Sequence, residues 1–375
     1  MRILVAPDKF KGSLDASAVA RAIAEAVAGV LPNAEIRVRA MADGGEGTLD
    51  ALLDGRDGSR LAVSVTGPLG EPVEASLGLL PDGDAVVEAA TASGLALVAE
   101  SDRDPLRAST RGAGELIGRA LGERARRVLV GIGGTASTDG GTGAASALGW
   151  RFLDGRGAEL EPGGGALARL RRIDQEGVDP RLEGLSVVGA CDVGNPLLGP
   201  RGAARVFAPQ KGAGPDQVER LEEGLERLAE RIEHDVGVTV ASPWGTGAGG
   251  GMGAGLAAFF SGRLEPGFEL VARETGLERD VAWATAVITG EGRLDEQSLS
   301  GKVPVGVAQV ALAAGVPCLA VVGQLALSAE QLEECGFAAA ISLTDEVGAS
   351  RARSETAESI RVVTERLLVK AQLRG

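Results

Sequence analysis

The chain has 375 residues, more than a single hydrophobic core usually serves, so two domains are expected. Aromatic residues make up 3% and Tyr is absent, which leaves Ala, Val and Leu to fill the interior and excludes oxidoreductases that need a catalytic tyrosine. A formal net charge of −14 argues against a nucleic-acid or anionic-membrane surface, so an anionic small molecule must meet a locally basic site.

Residues 3–6 read as a buried first strand, since the apolar run is too short for a signal peptide and lacks a cleavage site. The turn Asp8-Lys9-Phe10-Lys11-Gly12-Ser13 leads to a helix over 16–30, with Val19, Ile23, Val27 and Val30 on one face and Ser13 as its expected N-cap. Residues 36–41 lead into Asp43-Gly44-Gly45-Glu46-Gly47. Residues 60–88, punctuated by Gly67-Pro68, Gly70 and Pro81-Asp82-Gly83, predict an antiparallel meander. The strand 128–130 runs into the glycine-rich segment 131–141 and then an apolar helix start at 144–148. The strand 187–190 ends beside Asp192.

A helix is expected over 216–236, with the only histidine, His234, off its apolar face and exposed, which removes His triads and His-rich metal sites. The glycine tract 245–255 reads as a loop entering a helix, and Gly290-Glu291-Gly292 as a turn after the strand 286–288. The long apolar stretch 303–323 is broken by Gly315-Val316-Pro317, which predicts a helix over 305–314 and a strand over 319–322 rather than a membrane span. A strand at 338–341 and a helix over 356–369 complete the chain.

Strands alternating with helices predict an α/β protein with parallel sheet. A Rossmann-like lobe is expected from residues 1–64 and 281–375, with an inserted α/β domain over 65–280 and a cleft between them. The widely spaced Cys191, Cys318 and Cys335 fit a reducing, cytoplasmic setting.

In open α/β sheets ligands bind at the carboxyl ends of strands, and polar clusters follow several of these runs. Only five of the 38 basic residues are Lys, and Lys9, Lys11, Lys211 and Lys302 lie beside or within three residues of a glycine in such clusters. A compact ammonium fits between phosphate oxygens where a planar guanidinium does not, so these lysines point to phosphate. The loop containing Gly131, Gly133, Gly134 and Thr135 offers backbone donors to phosphate oxygens, as do Ser13 and Gly251. No G-x-x-x-x-G-K-[ST] motif occurs. Asp43, Asp192, Glu291 and Asp295 are the candidate hard oxygen ligands and bases. A rival reading takes Gly131, Gly133 and Ala136 as a dinucleotide fingerprint with Asp154 as the ribose acid, making the chain an NAD-dependent hydroxy-acid dehydrogenase without a proton donor. A two-lobed solute-binding protein is a second rival, weakened by the lack of an export signal.

The segments Ala6-Pro7-Asp8-Lys9-Phe10-Lys11-Gly12-Ser13-Leu14 and Ala42-Asp43-Gly44-Gly45-Glu46-Gly47-Thr48 resemble signature segments of type-I glycerate kinases. Residues 131–141, Cys191-Asp192-Val193-Gly194-Asn195-Pro196-Leu197, Ala208-Pro209-Gln210-Lys211-Gly212, residues 249–255 and Thr289-Gly290-Glu291-Gly292-Arg293-Leu294-Asp295 with Gln297, Ser298, Gly301 and Lys302 extend the likeness. The resemblance implies a two-domain α/β fold, ATP and Mg²⁺, and D-glycerate phosphorylated at its 2-hydroxyl. It does not single out the base, so the roles follow from chemistry. Lys9 and Lys302 neutralise the transferred phosphoryl group, Glu291 and Asp295 hold the metal, and Asp192 activates the acceptor. Asp43, Lys211 and Arg293 bind glycerate, Lys211 or Arg293 taking its carboxylate.

Overall fold

The computed structural model describes residues 1–300 and 302–371, so Gly301 of the last signature segment lies outside the described residues. In chain order the strands are β1 (Arg2–Val5), β2 (Glu35–Val38), β3 (Ser59–Thr66), β4 (Pro72–Leu79), β5 (Asp84–Glu88), β6 (Arg127–Gly131) and β7 (Arg151–Leu153). They continue with β8 (Arg172–Asp174), β9 (Ser186–Cys191), β10 (Arg263–Pro266), β11 (Ala286–Leu294), β12 (Cys318–Leu325) and β13 (Phe337–Ser342). The chain divides into two compact units, one of Met1–Asp43, Asp50–Arg56 and Phe268–Gly375, the other of Gly44–Leu49 and Asp57–Gly267.

The first unit holds a five-stranded sheet in the order β13-β12-β11-β1-β2, parallel throughout. Its inner strands are buried on both faces, which is why they read as unbroken apolar runs. Ile3, Val5, Ile288, Leu319 and Val321 pack with Val19, Ile23 and Val27 of the helix Ala16–Val30 and with Ile360, Val363 and Leu367 of the helix Thr356–Lys370. Each such side chain taken from water contributes about 1.5–3 kcal/mol. The helix Val303–Ala313, Gly315 at φ +69° and β12 replace any continuous apolar span, and among the described residues no helix is long and apolar enough to cross a membrane.

The second unit holds a six-stranded sheet in the order β10-β9-β6-β5-β4-β3. The β3-β4-β5 meander is antiparallel and β5, β6, β9 and β10 are parallel. Leu116 and Ile117 of the helix Arg111–Gly122 and Leu221, Leu225, Leu228 and Ile232 of the helix Pro215–Asp235 are buried in one core with Val128, Val130 and Val187. His234 has 72% of its side chain exposed, as its place on the helix requires.

Three local expectations change. Asp15, not Ser13, caps the first helix, its Oδ1 accepting from Ala18 N–H at 2.7 Å, while Ser13 lies exposed in the preceding turn. Strand β11 does not end at Ile288 but continues through Gly290-Glu291-Gly292 to Leu294, because β12 pairs with it as far as Leu325. The chain passes between the units at 43/44, 49/50, 56/57 and 267/268, where 64/65 and 280/281 are expected, and β3, paired with β4 over its full length, lies wholly in the second unit.

Asp280, 1% exposed, ties β2 to the helix Leu277–Trp283 by accepting from Arg39 Nε at 3.0 Å and Arg37 Nη1 at 3.1 Å. Removing one partner of a buried ion pair leaves the others uncompensated at about 3–5 kcal/mol. Asp280→Ala is therefore expected to destabilise the first unit by about that amount, measured by urea unfolding. An unchanged midpoint contradicts it.

Candidate functional site

In the first unit β1 and β11 are neighbours, and the segments at their carboxyl ends bring the charged groups together. Asp8 N–H donates to Gly290 O at 2.8 Å. The Asp8 side chain is buried, and burial pushes its carboxyl up to about 6, with Lys9 opposing and Asp43 reinforcing the rise. Lys9 Nζ stands 3.6 Å from Asp8 Oδ1. Glu291, also buried, accepts from Ser298 Oγ at 2.7 Å. Burial pushes it up to about 7, opposed by Ser298 and Lys302 and reinforced by Asp8 and Asp295. Lys302 is the residue before the helix Val303–Ala313, whose first turn presents backbone N–H groups. Arg293, 63% exposed, places Nε 2.9 Å from Asp295 Oδ2.

The sequence-predicted residues Lys9, Asp43, Glu291, Asp295 and Lys302 thus share one electrostatic neighbourhood, with Asp8 as a member the sequence reading missed. Its signal was available, since Asp8 sits beside Lys9 at the carboxyl end of β1. Ser13 is not part of this neighbourhood's capping geometry. Among the described residues, no three His, Cys, Asp or Glu side chains are placed to hold a metal ion by themselves.

The second unit assembles its site at the carboxyl ends of β6 and β9. Gly133 N–H donates to Gly44 O at 3.2 Å. A Cβ on Gly133 would stand 2.8 Å from Gly45 Cα and 3.4 Å from Asp192 Oδ2. Gly44, at φ +98°, would drive a Cβ to 2.7 Å from Ala190 O. The second, third and fourth signature segments therefore meet through bare backbone, with the Asp192 carboxylate against Gly133. Glu88 Oε2 accepts from Gly47 N–H at 3.0 Å and Leu49 N–H at 3.1 Å, fixing the start of the helix Thr48–Gly55.

Gly134 has φ +75° and lies with Thr135 on the loop after β6. Gly251 packs instead against the loop's far side, where its Cβ would be 2.8 Å from Gly140 Cα, and Gly140 N–H donates to Gly250 O at 3.1 Å. The glycines 249–251 all have positive φ, so the regular part of the helix Ala248–Phe259 follows them. Lys211 differs from expectation. It is 4% exposed, and its ammonium donates to Ser137 O and, at 3.5 Å, to Thr135 Oγ1. Burial lowers it to about 8, opposed by the charges of Asp139 and Asp192. An ammonium enclosed in this way is not open to a substrate carboxylate.

Asp139, which sequence reading passed over as one loop residue among many, is fully buried and accepts from Thr110 N–H at 2.8 Å, Thr110 Oγ1 at 2.9 Å, Gly141 N–H at 3.2 Å and Gly143 N–H at 3.2 Å. Burial raises its proton affinity and these donors lower it. The dinucleotide alternative loses its acid, because Asp154 accepts from Arg156 and Ala158 N–H in the turn after β7.

Residues 3–371 match the family model described as the glycerate kinase family. The chain belongs to that family. It is 47% identical to glycerate kinase of Halalkalibacterium halodurans over 92% of this chain and 91% of that one. It is 44% identical to glycerate 2-kinase of Escherichia coli over 93% and 92% of the two chains. A crystal structure of the chain assigned as glycerate kinase 2 of Salmonella typhimurium LT2 superposes with a TM-score of 0.86 at 41% identity, covering 100% of this chain and 98% of that one. The buried charges described above therefore belong to a glycerate kinase family fold.

Glu291 yields a pH prediction. Its folded-state proton is held up to about 7 against an ordinary value of 4.5, so the associated stability is complete below pH 4.5 and disappears as pH rises through 7. Each pH unit of that interval is worth about 1.4 kcal/mol. Without ligands or divalent cations, Glu291→Gln should become more stable than wild type as pH rises from 4.5 to 7, by on the order of 2–3 kcal/mol. Melting curves at successive pH values test it, and parallel curves for the two proteins refute it.

Proposed function

We propose that this chain transfers the γ-phosphate of ATP to the 2-hydroxyl of D-glycerate, giving 2-phosphoglycerate and ADP. The observation that carries the reading is the meeting of Gly45, Gly133 and Asp192 at the carboxyl ends of β6 and β9 in a member of the glycerate kinase family. The position of transfer rests on the Escherichia coli relative, which is named a glycerate 2-kinase.

The reaction forms a bond between the acceptor oxygen and Pγ, breaks the bond from Pγ to the ADP oxygen, and releases the hydroxyl proton. Asp192 orients that hydroxyl and takes its proton. Backbone N–H groups of the loop carrying Gly131, Gly133, Gly134 and Thr135 hold phosphate oxygens. Lys9 and Lys302 neutralise charge on the transferred group, Lys302 beside a helix N-terminus that favours anions. Asp43 binds the acceptor, and the exposed Arg293 takes its carboxylate, the role that enclosed Lys211 does not fill.

The fit of Mg²⁺ rests on the carboxylates of the first unit. Glu291 has its proton affinity raised by burial and further by Asp8 and Asp295, and a cation relieves the repulsion from those two carboxylates. Mg²⁺ commonly takes one or two carboxylates and completes its shell with phosphate oxygens and water, so a site without three protein carboxylates fits a metal arriving with the nucleotide. Glu291 and Asp295 would hold it, and when bound it supplies positive charge to the phosphates. The three cysteines, all free and buried, accord with a cytoplasmic enzyme.

ADP release dependent on D-glycerate tests the activity. Product converted by enolase with no mutase present supports transfer to the 2-hydroxyl, and a requirement for mutase refutes it. Lys→Arg substitution keeps charge but misplaces it. Lys9→Arg and Lys302→Arg are expected to lose about 10²–10³ in turnover while melting normally. Lys370, 63% exposed and 2.8 Å from Glu346, is the control, and Lys370→Arg should behave as wild type. Near-normal turnover in all three variants would falsify the phosphate role of the lysines.

A further inference from the structure

Two hydroxyls of the glycine loop after β6 do nothing to hold it. Ser137 Oγ and Thr138 Oγ1 are buried and have no hydrogen-bond partner among the described residues. Two charged groups hold it instead. On one side, Asp139 gathers N–H groups from Gly141 and Gly143 and both donors of Thr110. Thr110 Oγ1 in turn accepts from Ala144 N–H at 2.9 Å, so its proton is directed at Asp139. The carboxylate thereby locks the start of the helix Thr142–Ser146 to the residue preceding the helix Arg111–Gly122. The donors gathered on this carboxyl favour its ionised form, against the burial that raises its proton affinity. On the other side, Lys211 reaches from the short turn Pro209–Lys211 to the Ser137 carbonyl and the Thr135 hydroxyl. Lys211 is also within the field of both Asp139 and Asp192.

We infer that Asp139 and Lys211 are positioning residues that impose the phosphate-binding shape of this loop, so nucleotide affinity depends on two charges that do not touch the nucleotide. The inference rests on the reading that the loop holds nucleotide phosphates. A loop with repeated glycines has many backbone states open to it. Burying an ion without its partners is unfavourable, so the paired charges disfavour the loop conformations that would separate them. Pre-organised N–H groups need no rearrangement when phosphate arrives.

The experiment compares Lys211→Met, which keeps the apolar stem, and Asp139→Asn, which keeps the shape but turns a donor toward donors. Gly134→Ala, which disturbs the loop itself at a positive-φ position, is the reference. Three quantities are measured on the full chain: ADP dissociation constant by calorimetry, KM for ATP, and KM for D-glycerate. In Lys211→Met and Asp139→Asn, the ADP constant and the ATP KM are expected to rise about 10–100-fold. The glycerate KM should stay within about twofold. Should Asp139→Asn fail to fold, Lys211→Met alone decides. If Gly134→Ala weakens ADP but Lys211→Met does not, the positioning role is overturned and the loop assignment stands. If Gly134→Ala also leaves ADP binding intact, the loop assignment itself fails. A rise in glycerate KM with ADP binding intact in Lys211→Met overturns the inference too, by making Lys211 an acceptor contact.

Discussion

A carboxyl group removed from water has to be given hydrogen-bond partners in place of its hydration, and Asp139 shows how far that requirement reaches. Its oxygens accept from two loop amides and from both donors of Thr110, and through Thr110 the bond network continues to Ala144. Two helix starts and one glycine loop are thereby brought into register. Gly114 then lies so close to Ala144 that any Cβ would fall 2.2 Å from its carbonyl oxygen. The second unit's site follows from this close packing. Backbone approaches backbone at Gly44, Gly133 and Gly251, and the exposed Asp192 is left beside a loop whose path is already settled.

The first unit solves a different problem. Asp8 and Glu291 are buried next to further carboxylates, and both hold their protons far above the ordinary range. A fold selected for stability alone would replace them with neutral groups. They lie just past β1 and within β11, with the opposing charges of Lys9 and Lys302 acting on them.

The element pattern was readable because a parallel strand buried on both faces must be apolar along its length, as residues 3–5, 128–130 and 319–322 are. The helix over 16–30 was readable because its apolar face repeats with the helical period. Its cap was less so, since Ser13 and Asp15 are both good N-cap residues and only the turn Phe10–Leu14, closed by the Leu14 N–H bond to Phe10 O, decides for Asp15. Strand β11 was cut short in the reading because Gly290-Glu291-Gly292 has turn composition. Pairing with β12 overrides that local preference.

By itself the sequence determined the α/β class, the family and which segments are candidates for chemistry, because those depend on residue type, periodicity and order along the chain. Only the tertiary structure decided how the charged residues in those segments are placed and paired. Lys9 and Lys211 look alike in sequence, each beside or near a glycine, yet one ion-pairs at a strand end and the other is enclosed against Ser137 and Thr135. Asp43, Asp139 and Asp192 likewise share turn-like surroundings in sequence but differ from partly exposed to fully buried to exposed. A side chain's charge state and availability follow from which distant segments surround it, and that is a property of packing rather than of neighbours along the chain.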